Sequence, residues 1–431
     1  MKTIKENGNE SDYPSFFRGL CIAVMCATVL YAQIIQYKFF AISNGMLILG
    51  ILLLITYMLA HMGRPFTFSM LFSKESAWVL AFFIYIFPLG WITSPNTSGH
   101  ITQWITSIEY FFLMIILSSL IMHSGTETFH VLLLLVAIIM AVILFVDPVL
   151  YPKTEDRYSI STEINPNALG MAFTTGIWAA LYFQQKKKIS LAFAAGVIAF
   201  LCYSILKTGS RKALIAAGII ILLWVVFCFF PSVNKSKSRW KPLILLFSTL
   251  ALFLAAIEFI KMYSTSDMAA RMDDLGRETT TGSRAYMYEF GWMLFQKQPL
   301  FGLGFTGFQF YHGLYSHATV IEVPVSAGIF GSIIYFASYF ISIKKCISLF
   351  KYSKDKNLMV ENEETRMLLI LWAAMLFYCT CIIHPYQFDS FIMFGIIFGQ
   401  STFLEKKIRM QRNTNIQEER QVNLNRFKYI R

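Results

Sequence analysis

Charged residues are scarce in this chain of 431 residues. Asp, Glu, Lys and Arg make up 14% of it, against about 25% in ordinary soluble domains. Hydrophobic residues make up 56%, and 41 Phe dominate an aromatic share of 16%. This composition argues against a soluble globular protein and is typical of a protein that crosses the membrane many times.

The sequence also lacks the patterns that bind metals, nucleotides or disulfide partners. None of the seven cysteines forms a C-x-x-C pair, and all lie in or beside apolar segments. There is no D-x-D, no metal-ligand spacing of His, Asp and Glu, no phosphate loop and no G-x-G-x-x-G before a strand. We therefore expect a site that uses no metal and no cofactor. The net charge is +12, but the lysine and arginine residues form no basic stripe on a soluble domain, so we expect no nucleic-acid partner.

Long apolar runs are abundant, and a run of about 20 residues can cross the hydrocarbon as a helix. Twelve stretches qualify: 19–37, 40–60, 77–93, 102–122, 129–150, 166–184, 189–206, 213–231, 242–260, 323–343, 366–384 and 388–404. The predicted fold class is an all-α polytopic membrane protein with about twelve spans. Residues 1–18 are a polar N-terminal segment before a retained first helix, and residues 19–404 form the transmembrane domain. We expect the basic tail 405–431 to be disordered or to touch lipid.

The distribution of Lys and Arg predicts the orientation of the chain. With the N-terminus in the cytoplasm, the inner segments carry 26 of the 37 basic residues and the outer segments carry 11. Because basic residues collect in cytoplasmic loops, we expect both termini to be cytoplasmic. Lys261–Glu322 is a 62-residue outer loop, and loops of this length are usually functional. Within this loop, one helical face carries Tyr288, Trp292 and Phe295. We expect this face either to rest on the membrane surface or to pack on the outer rim of the protein itself.

The tetrapeptide Thr-Gly-Ser-Arg occurs twice, at Thr208–Arg211 and at Thr281–Arg284. Both copies lie on the predicted outer side, and each places an arginine where a helix is predicted to begin. Helix N-termini bind anions, and the arginine fork matches phosphate oxygens. The pair therefore predicts a protein that handles a lipid-linked phosphate. Arg157 and Lys212 are further outer cations, although a single exposed arginine is more often a headgroup anchor.

His317 lies at the predicted outer mouth of the helix that follows the long loop. A neutral imidazole there can accept a proton from a hydroxyl group. A lone histidine is more often structural, and His312 and His384 are alternatives on the same predicted side. Glu322 is a candidate either to orient His317 or to act as the base itself.

Several motifs occur in a fixed order between residues 155 and 345. They are Asn165-Pro166-Asn167-x-x-Gly170, Ser210-Arg211, Ser283-Arg284 with Trp292 downstream, Pro299-Leu300-Phe301-Gly302-Leu303-Gly304, His317 with Glu322, and Gly328-x-x-Gly331. Together they resemble the O-antigen ligase and polymerase family of membrane glycosyltransferases. Ala318 departs from the pattern, because many relatives carry Asn or Ser after the histidine.

The resemblance implies an all-helical, glycosyltransferase-C-like fold in a bacterial cytoplasmic membrane. It implies a glycan donor on undecaprenyl diphosphate and transfer on the extracytoplasmic side without a metal. It makes His317 the base or the residue that positions the acceptor hydroxyl. The residues it assigns to the donor diphosphate are Arg211, Arg284, Ser210, Ser283 and, as a weaker third cation, Arg157.

Three functions fit these features. The first is a polymerase that joins lipid-linked repeat units of O-antigen, capsule or exopolysaccharide. The second is a ligase that moves a finished glycan to lipid A core or another acceptor. The third is a transporter or flippase, which should show inverted repeats, broken helices or charged groups near the midplane. Cations crowd the outer mouth instead, which favours an enzyme. The expected partners are the lipid-linked glycan, membrane lipids and a candidate chain-length regulator.

Overall fold

The computed structural model of the chain describes residues 13–39, 41, 45–60, 73–150, 157–229 and 284–429. A short antiparallel ribbon pairs β1 (Val149–Leu150) with β2 (Tyr158–Ser159), with Val149 opposite Ser159. The helices are α1 (Tyr13–Leu30), α2 (Gly45–Ala60), α3 (Lys74–Thr93), α4 (Thr97–Ser124), α5 (Glu127–Val146), α6 (Pro166–Gln185), α7 (Leu191–Thr208), α8 (Arg211–Trp224), α9 (Arg284–Lys297), α10 (Gly307–His312), α11 (Thr319–Asp355), α12 (Met359–Cys379) and α13 (Phe388–Tyr429). Helix α8 continues as a π-helical turn, Val225–Phe229.

The chain is a polytopic membrane protein. Among the residues described, seven helices are long and apolar enough to cross a bilayer: Phe16–Lys38, Lys74–Thr93, Thr97–His123, Glu127–Val146, Leu191–Thr208, Arg211–Phe229 and Thr319–Asp355. Helices occur in eleven of the twelve predicted stretches, and the stretch 242–260 lies outside the described residues. The count of twelve spans stays a prediction. The expected disorder of the tail was wrong, because α13 continues as a helix to Tyr429.

Side-chain caps start several helices where the sequence changes from polar to apolar. Ser73 accepts the Ser76 N–H before α3, and Ser190 accepts the Phe193 N–H before α7. Asn96 accepts the Gly99 N–H before α4. Such caps satisfy N–H groups that the first helical turn leaves without an acceptor. The helix starts are therefore fixed by local chemistry before any packing occurs.

Helix α6 forms the centre of the bundle. Its residues from Leu169 to Phe183 are buried, and it packs against α5, α7 and α8. The indole N–H of Trp178 donates to the carbonyl of Met367 on α12 at 2.9 Å, which satisfies the polar atom of a fully buried ring. This bond ties the second half of α6 to α12, whereas the N-terminal end of α6 lies beside the turn between α7 and α8, where Asn167 accepts the Ser210 hydroxyl.

Ion pairs collect at the end of the bundle where α6 finishes and α12 begins. Lysine side chains there form ion pairs between different helices. Charged groups in a membrane protein are stable only where they are paired or near water. The pairs are Lys186–Glu364, Lys345–Glu75 at 3.1 Å, Lys345–Glu405 at 3.4 Å and Lys407–Glu361 at 2.9 Å. The motif residues Asn165, Asn167 and Ser210 lie at the opposite end of α6, where this helix starts.

Helix α11 is interrupted at Gly328, whose φ is 64° and ψ is −167°. The segment Pro299–Gly304 runs beside the interruption and takes over its backbone hydrogen bonds. These bonds, each 2.8 Å long, run from Leu303 N–H to Val325 O, from Gly304 N–H to Ser326 O and from Ile329 N–H to Pro299 O. A break in a membrane helix is stable only when its backbone groups find such partners.

The two backbones approach too closely for side chains at the crossing. A Cβ on Gly328 would lie 2.3 Å from the Leu300 carbonyl carbon, and a Cβ on Gly302 would lie 2.4 Å from the Ala327 nitrogen. The motif glycines at 302 and 328 therefore belong to one structural unit, in which a loop segment replaces a missing helical turn.

We expect Gly328→Ala to lower the stability of the protein by about 1–3 kcal/mol, because only glycine adopts this backbone conformation readily. The measurement is the melting temperature in detergent. Gly218→Ala on α8 is the control, since no atom lies within 4 Å of its added Cβ. Equal melting temperatures for both variants would contradict the role given to the crossing.

Candidate functional site

The turn Thr208–Arg211 joins α7 to α8 and is tied to the start of α6. Asn165 caps α6 by accepting the Asn167 N–H at 2.9 Å. The side-chain oxygen of Asn167 in turn accepts the Ser210 hydroxyl at 3.0 Å. Ser210 also caps α8 by accepting the Ala213 N–H at 3.4 Å. Arg211 is therefore the first residue of a helix whose start is fixed by two motifs that are distant in sequence.

Arg157 belongs to the same hydrogen-bond network. Its guanidinium donates from Nε to the Thr208 carbonyl at 3.1 Å and from Nη2 to the Asn167 side chain at 3.0 Å. The residue is buried. Arg157 thus brings a permanent positive charge to the turn and at the same time braces it, which the sequence alone did not indicate.

Gly170 explains the last position of the Asn-Pro-Asn-x-x-Gly motif. A Cβ at this residue would lie 2.6 Å from the Cβ of Ala213 and 3.2 Å from the hydroxyl oxygen of Ser210. Helices α6 and α8 can approach closely here because neither carries a bulky side chain. The motif therefore sets the position of the α8 N-terminus in three ways: a cap, an amide bridge and a close contact.

Helix α9 begins at Arg284, and Ser283 lies outside the described residues. A helix is present in the predicted stretch, and its buried face consists of Met287, Gly291 and Leu294. Trp292 is 60% exposed and stacks on Phe295. The packed side of α9 thus lies against α10 and α11, while the aromatic side remains open.

The connection between α12 and α13 brings the helix starts together. Three consecutive backbone carbonyl groups in this connection accept hydrogen bonds from α9, α8 and α11. The Tyr288 hydroxyl donates to Thr380 O at 2.7 Å, the Lys212 ammonium donates to Cys381 O, and the backbone N–H and hydroxyl of Thr319 donate to Ile382 O at 2.9 and 2.6 Å. We call these three residues the carbonyl hub.

The carbonyl hub connects the motif residues by short stretches of chain. Arg211 is adjacent to Lys212, Arg284 precedes Tyr288 by about one helical turn, and His317 is two residues before Thr319. The N-terminal ends of α8, α9 and α11 therefore lie at one end of the bundle, around one connection. N-terminal helix ends and basic side chains together favour anionic ligands.

His317 occupies a left-handed backbone conformation, with φ of 58°. Few residues other than glycine adopt it, and such strain concentrates at functional sites. Its half-buried ring packs on Tyr315 with 4.2 Å between ring centroids. The sequence had predicted a histidine at a helix mouth, and the structure adds that the backbone of this residue is held in a costly conformation.

Glu322 holds the backbone next to His317. The carboxylate is buried and accepts the Ser316 N–H at 3.2 Å and the Tyr386 hydroxyl at 3.0 Å. Burial raises the pKa of the Tyr386 phenol well above its ordinary value, and the Glu322 charge adds to the rise. The phenol therefore stays protonated and donates to Glu322. This geometry favours the orienting role of Glu322 over the role of base.

The two alternative histidines lie in different surroundings. His312 packs among the rings of Tyr286, Phe290 and Phe308, with centroid distances of 5.8, 5.1 and 5.3 Å. His384 is fully buried, its Nδ1 lies 2.5 Å from the Tyr339 hydroxyl, and burial lowers its pKa to about 3. His384 is therefore a neutral core residue of the connection.

Sequence reasoning missed two residues that support the site, Tyr386 and His100. Tyr386 accepts the Thr306 N–H at 3.3 Å while it donates to Glu322. His100 on α4 accepts the Phe305 N–H at 2.9 Å and is fully buried. Both fix the loop that follows Gly304, and neither stands in a motif or beside a charge pattern that would have marked it.

In the described part of the chain, no group of three or more His, Cys, Asp and Glu could hold a metal ion.

A protein-family model described as O-antigen ligase matches residues 196–336, about a third of the chain. The matched segment includes most of α7, all of α8, α9 and α10, and the start of α11 with the Gly328 interruption. It confirms the resemblance drawn from the motifs. No curated protein matches the chain.

We expect Arg157→Ala to lower the stability by about 1–3 kcal/mol, because the buried Thr208 carbonyl and Asn167 amide would lose a charged donor. Melting temperature in detergent measures the effect. Arg409→Ala is the matched control, since that side chain is 74% exposed and its pair with Glu405 should contribute only about 0.3–0.5 kcal/mol. Comparable losses in both variants would argue against a bracing role.

Proposed function

We propose that this chain transfers a glycan from undecaprenyl diphosphate to a sugar hydroxyl, and the match of residues 196–336 to the family model described as O-antigen ligase supports the proposal. We place the reaction on the extracytoplasmic side of a bacterial cytoplasmic membrane, with both termini in the cytoplasm. The first candidate activity is repeat-unit polymerisation in O-antigen, capsule or exopolysaccharide assembly. The second is ligation of a finished glycan to lipid A core or another acceptor.

One observation carries the proposal. The starts of α8, α9 and α11 all meet the carbonyl hub of residues 380–382. These three helix starts share one connection, although they are spread over more than a hundred residues of sequence. Cations at such helix starts, with a histidine two residues before α11, would suit a reaction with an anionic leaving group and a hydroxyl nucleophile.

Arg211 and Arg284 supply positive charge to the leaving diphosphate, with Arg157 as a third cation and with Ser210 and Ser283 at the helix starts. As the bond between the anomeric carbon and the diphosphate oxygen breaks, both bonding electrons stay on that oxygen. Fixed guanidinium groups stabilise the growing negative charge without reorganisation, which is usually the largest catalytic contribution. No metal or cofactor is required for this step in the proposal.

His317 accepts the proton of the acceptor hydroxyl as its oxygen bonds to the anomeric carbon. A neutral imidazole has a suitable proton affinity for this task near neutral pH. Glu322 acts in the proposal by holding Ser316, the residue before His317, so that the ring keeps its direction. Orientation of both substrates supplies much of the remaining rate enhancement.

A transporter reading finds one supporting feature, the interruption of α11 at Gly328. Broken helices in transporters leave backbone groups to coordinate a substrate or an ion. Here the groups on both sides of the break bond to Pro299–Gly304 instead. The interruption therefore has a structural partner, and the enzyme remains the better proposal.

Membrane lipids and a chain-length regulator are the further partners that we propose.

We expect Arg211→Ala and Arg284→Ala each to reduce transfer by about 10²–10³-fold, or about 2.7–4 kcal/mol in barrier height, by analogy with loss of an oxyanion donor. The assay uses purified protein in liposomes with a defined undecaprenyl-diphosphate glycan. His317→Ala should be similarly inactive, whereas His312→Ala should be tolerated.

The same assay separates the two activities. Growth of the glycan on its own carrier identifies a polymerase, and transfer only to an added lipid A core identifies a ligase. Full activity of both arginine variants, with normal accumulation in the membrane, would remove the diphosphate role. Activity lost in His312→Ala but kept in His317→Ala would move the base.

The proposed orientation predicts that Gln296→Cys on α9 reacts with an impermeant thiol reagent in intact cells. Gln296 is exposed, and among the native cysteines only Cys26 and Cys202 are partly exposed, so the background should be low. Lys356→Cys, exposed at the opposite end, should react only after lysis. The reverse pattern would invert the topology and move the site to the cytoplasm.

A further inference from the structure

A cavity of about 720 Å³ lies at the end of the bundle opposite the carbonyl hub. The ends of α6, α8 and α11 and the start of α12 form its walls, and the π-helical turn after α8 adds to them. Helix α12 is 21 residues long, so the cavity lies roughly 30 Å from the hub along the helix axis at 1.5 Å per residue. Six of the residues that line the cavity are Gln184, Lys187, Trp224, Phe229, Lys354 and Arg366. We call it the basic cavity, because three of these side chains are cationic.

Positive charge exceeds negative charge in the described walls of the basic cavity. Lys187 follows the end of α6, Lys354 lies in the last turn of α11, and Arg366 lies on α12. Glu363 is the one carboxylate among the described lining residues, so three cations stand against one anion. A cavity lined mainly by charge of one sign concentrates ligands of the opposite sign. The basic cavity therefore favours an anionic ligand.

The cavity lysine in the turn after α6 differs from its two neighbours in sequence. Lys186 is paired with Glu364, and Lys188 is paired with Glu127 at 3.5 Å. In the described part of the chain, no carboxylate pairs with Lys187. The ammonium group of Lys187 can therefore pair with an anion that enters the cavity.

Trp224 contributes a buried hydrogen-bond donor to the cavity wall. This side chain is 5% exposed, and its indole N–H has no acceptor among the described residues. The buried Trp178, by contrast, donates to the Met367 carbonyl. Buried polar groups without a partner are uncommon in folded proteins and call for an acceptor from a water or a bound ion. A ligand with acceptor oxygens would supply the missing partner.

The rim of the basic cavity is apolar beside α8 and α12. The ring centroids of Trp224 and Phe229 lie 5.6 Å apart. Met359 lines the cavity and is 58% exposed, and Val226 and Phe227 are 45% and 50% exposed. The last two belong to a helix long and apolar enough to span the membrane, so their exposed side chains face hydrocarbon. The occupant that fits these features has an anionic headgroup and apolar chains.

Hydrogen bonds between helices hold the walls of the cavity in place. The Asn362 amide on α12 donates to the Ser353 hydroxyl on α11 at 3.2 Å. Arg366 Nη1 donates to the Phe227 carbonyl in the π-helical turn at 2.6 Å, and its guanidinium lies 5.8 Å from the centre of the Phe350 ring. The cavity is therefore formed before a ligand arrives, so little ordering is needed on binding.

We infer that the basic cavity binds the headgroup of an anionic phospholipid from the adjacent membrane leaflet. Lys187, Lys354 and Arg366 contact the phosphate, and the Trp224 N–H donates to a headgroup oxygen. The fatty-acid chains pass Phe227 into the bilayer. Basic pockets between membrane helices bind such headgroups on the cytoplasmic side, where the proposed orientation places this end. The volume corresponds to about 24 water-sized groups at roughly 30 Å³ each, which is enough for a glycerol phosphate headgroup.

The test measures binding of a fluorescent phosphatidylglycerol to the purified full-length chain in neutral detergent. Its Kd should be at least about tenfold lower than that of phosphatidylcholine with the same chains, because the excess of cations attracts the anionic headgroup. Lys187→Glu combined with Lys354→Glu should raise the Kd for phosphatidylglycerol at least about tenfold for the same reason. Equal Kd values for the two lipids in the wild type would overturn the inference.

Lys351→Glu combined with Lys356→Glu is the matched control. Both lysines are exposed at the same end of the bundle, and neither is among the residues that line the cavity. This variant carries the same change of charge, and its Kd should stay within about twofold of the wild type, because salt screens charges outside the cavity. Equal losses of affinity in the two double variants would overturn the inference, since the lipid would then respond to the charge of the whole surface.

Trp224→Phe keeps an aromatic wall and removes the N–H. It should raise the Kd for phosphatidylglycerol by about three- to tenfold, the range expected for one hydrogen bond. An unchanged Kd would overturn the placement of the headgroup beside this ring. The lysine variants change exposed side chains, so they test the site even if Trp224→Phe fails to fold.

Competition distinguishes a lipid from a soluble phosphate compound. Glycerol phosphate and inorganic phosphate lack the apolar chains, so they should displace the labelled lipid only at concentrations at least about a hundredfold higher. Displacement at equal concentrations would assign the cavity to a soluble phosphate compound and overturn the lipid assignment. These readouts measure binding alone, at a site separate from the proposed reaction. They therefore apply equally to a protein that transfers no glycan, and a negative result leaves the proposed function untouched.

Discussion

Three backbone carbonyl groups, those of Thr380, Cys381 and Ile382, hold the candidate site together. Each accepts a hydrogen bond from a different helix, and the three helices begin at Arg211, Arg284 and Thr319. Backbone carbonyls in a tight connection cannot move independently, so the three helix starts keep fixed relative positions. In a bilayer this is a strong constraint, because an unsatisfied carbonyl near hydrocarbon costs several kcal/mol. The shared position of the three helix starts follows from it.

The interruption of α11 extends the same logic to the segment Pro299–Gly304. A continuous helix would satisfy its own backbone, and the break at Gly328 makes α11 depend on a loop that lies just after α9. The loop is in turn fixed by His100, whose ring accepts the Phe305 N–H. The segment after α9 is therefore coupled to α11 through backbone hydrogen bonds. The start of α9 is held separately, by the hydrogen bond from Tyr288 to the carbonyl hub.

Sequence reasoning reached most of the helices because apolar length depends on the local sequence alone. It also placed Arg211 at a helix start, where the structure adds that Ser210 and Asn165 are caps, which accept N–H groups of the residues that follow them. The hub was beyond reach, since a carbonyl acceptor has no side-chain signature and any residue could stand at position 381. Tyr386 and His100 were missed because their partners are distant in sequence: Thr306 lies 80 residues from Tyr386, and Phe305 lies 205 residues from His100. Arg157 was recognised as a cation, but its bracing contacts required the fold.

The buried position of Arg157 also bears on how cations persist at a membrane surface. An arginine whose only hydrogen-bond partner is a ligand loses that partner when the ligand leaves. Its charge must then be solvated by water or by a lipid headgroup. Arg157 instead donates to Thr208 and Asn167, so its charge is solvated by the protein itself. The same contacts fix the turn that presents Arg211. A charge held in this way is preorganised for an incoming anion, because the polar groups around it are already in place before the ligand arrives.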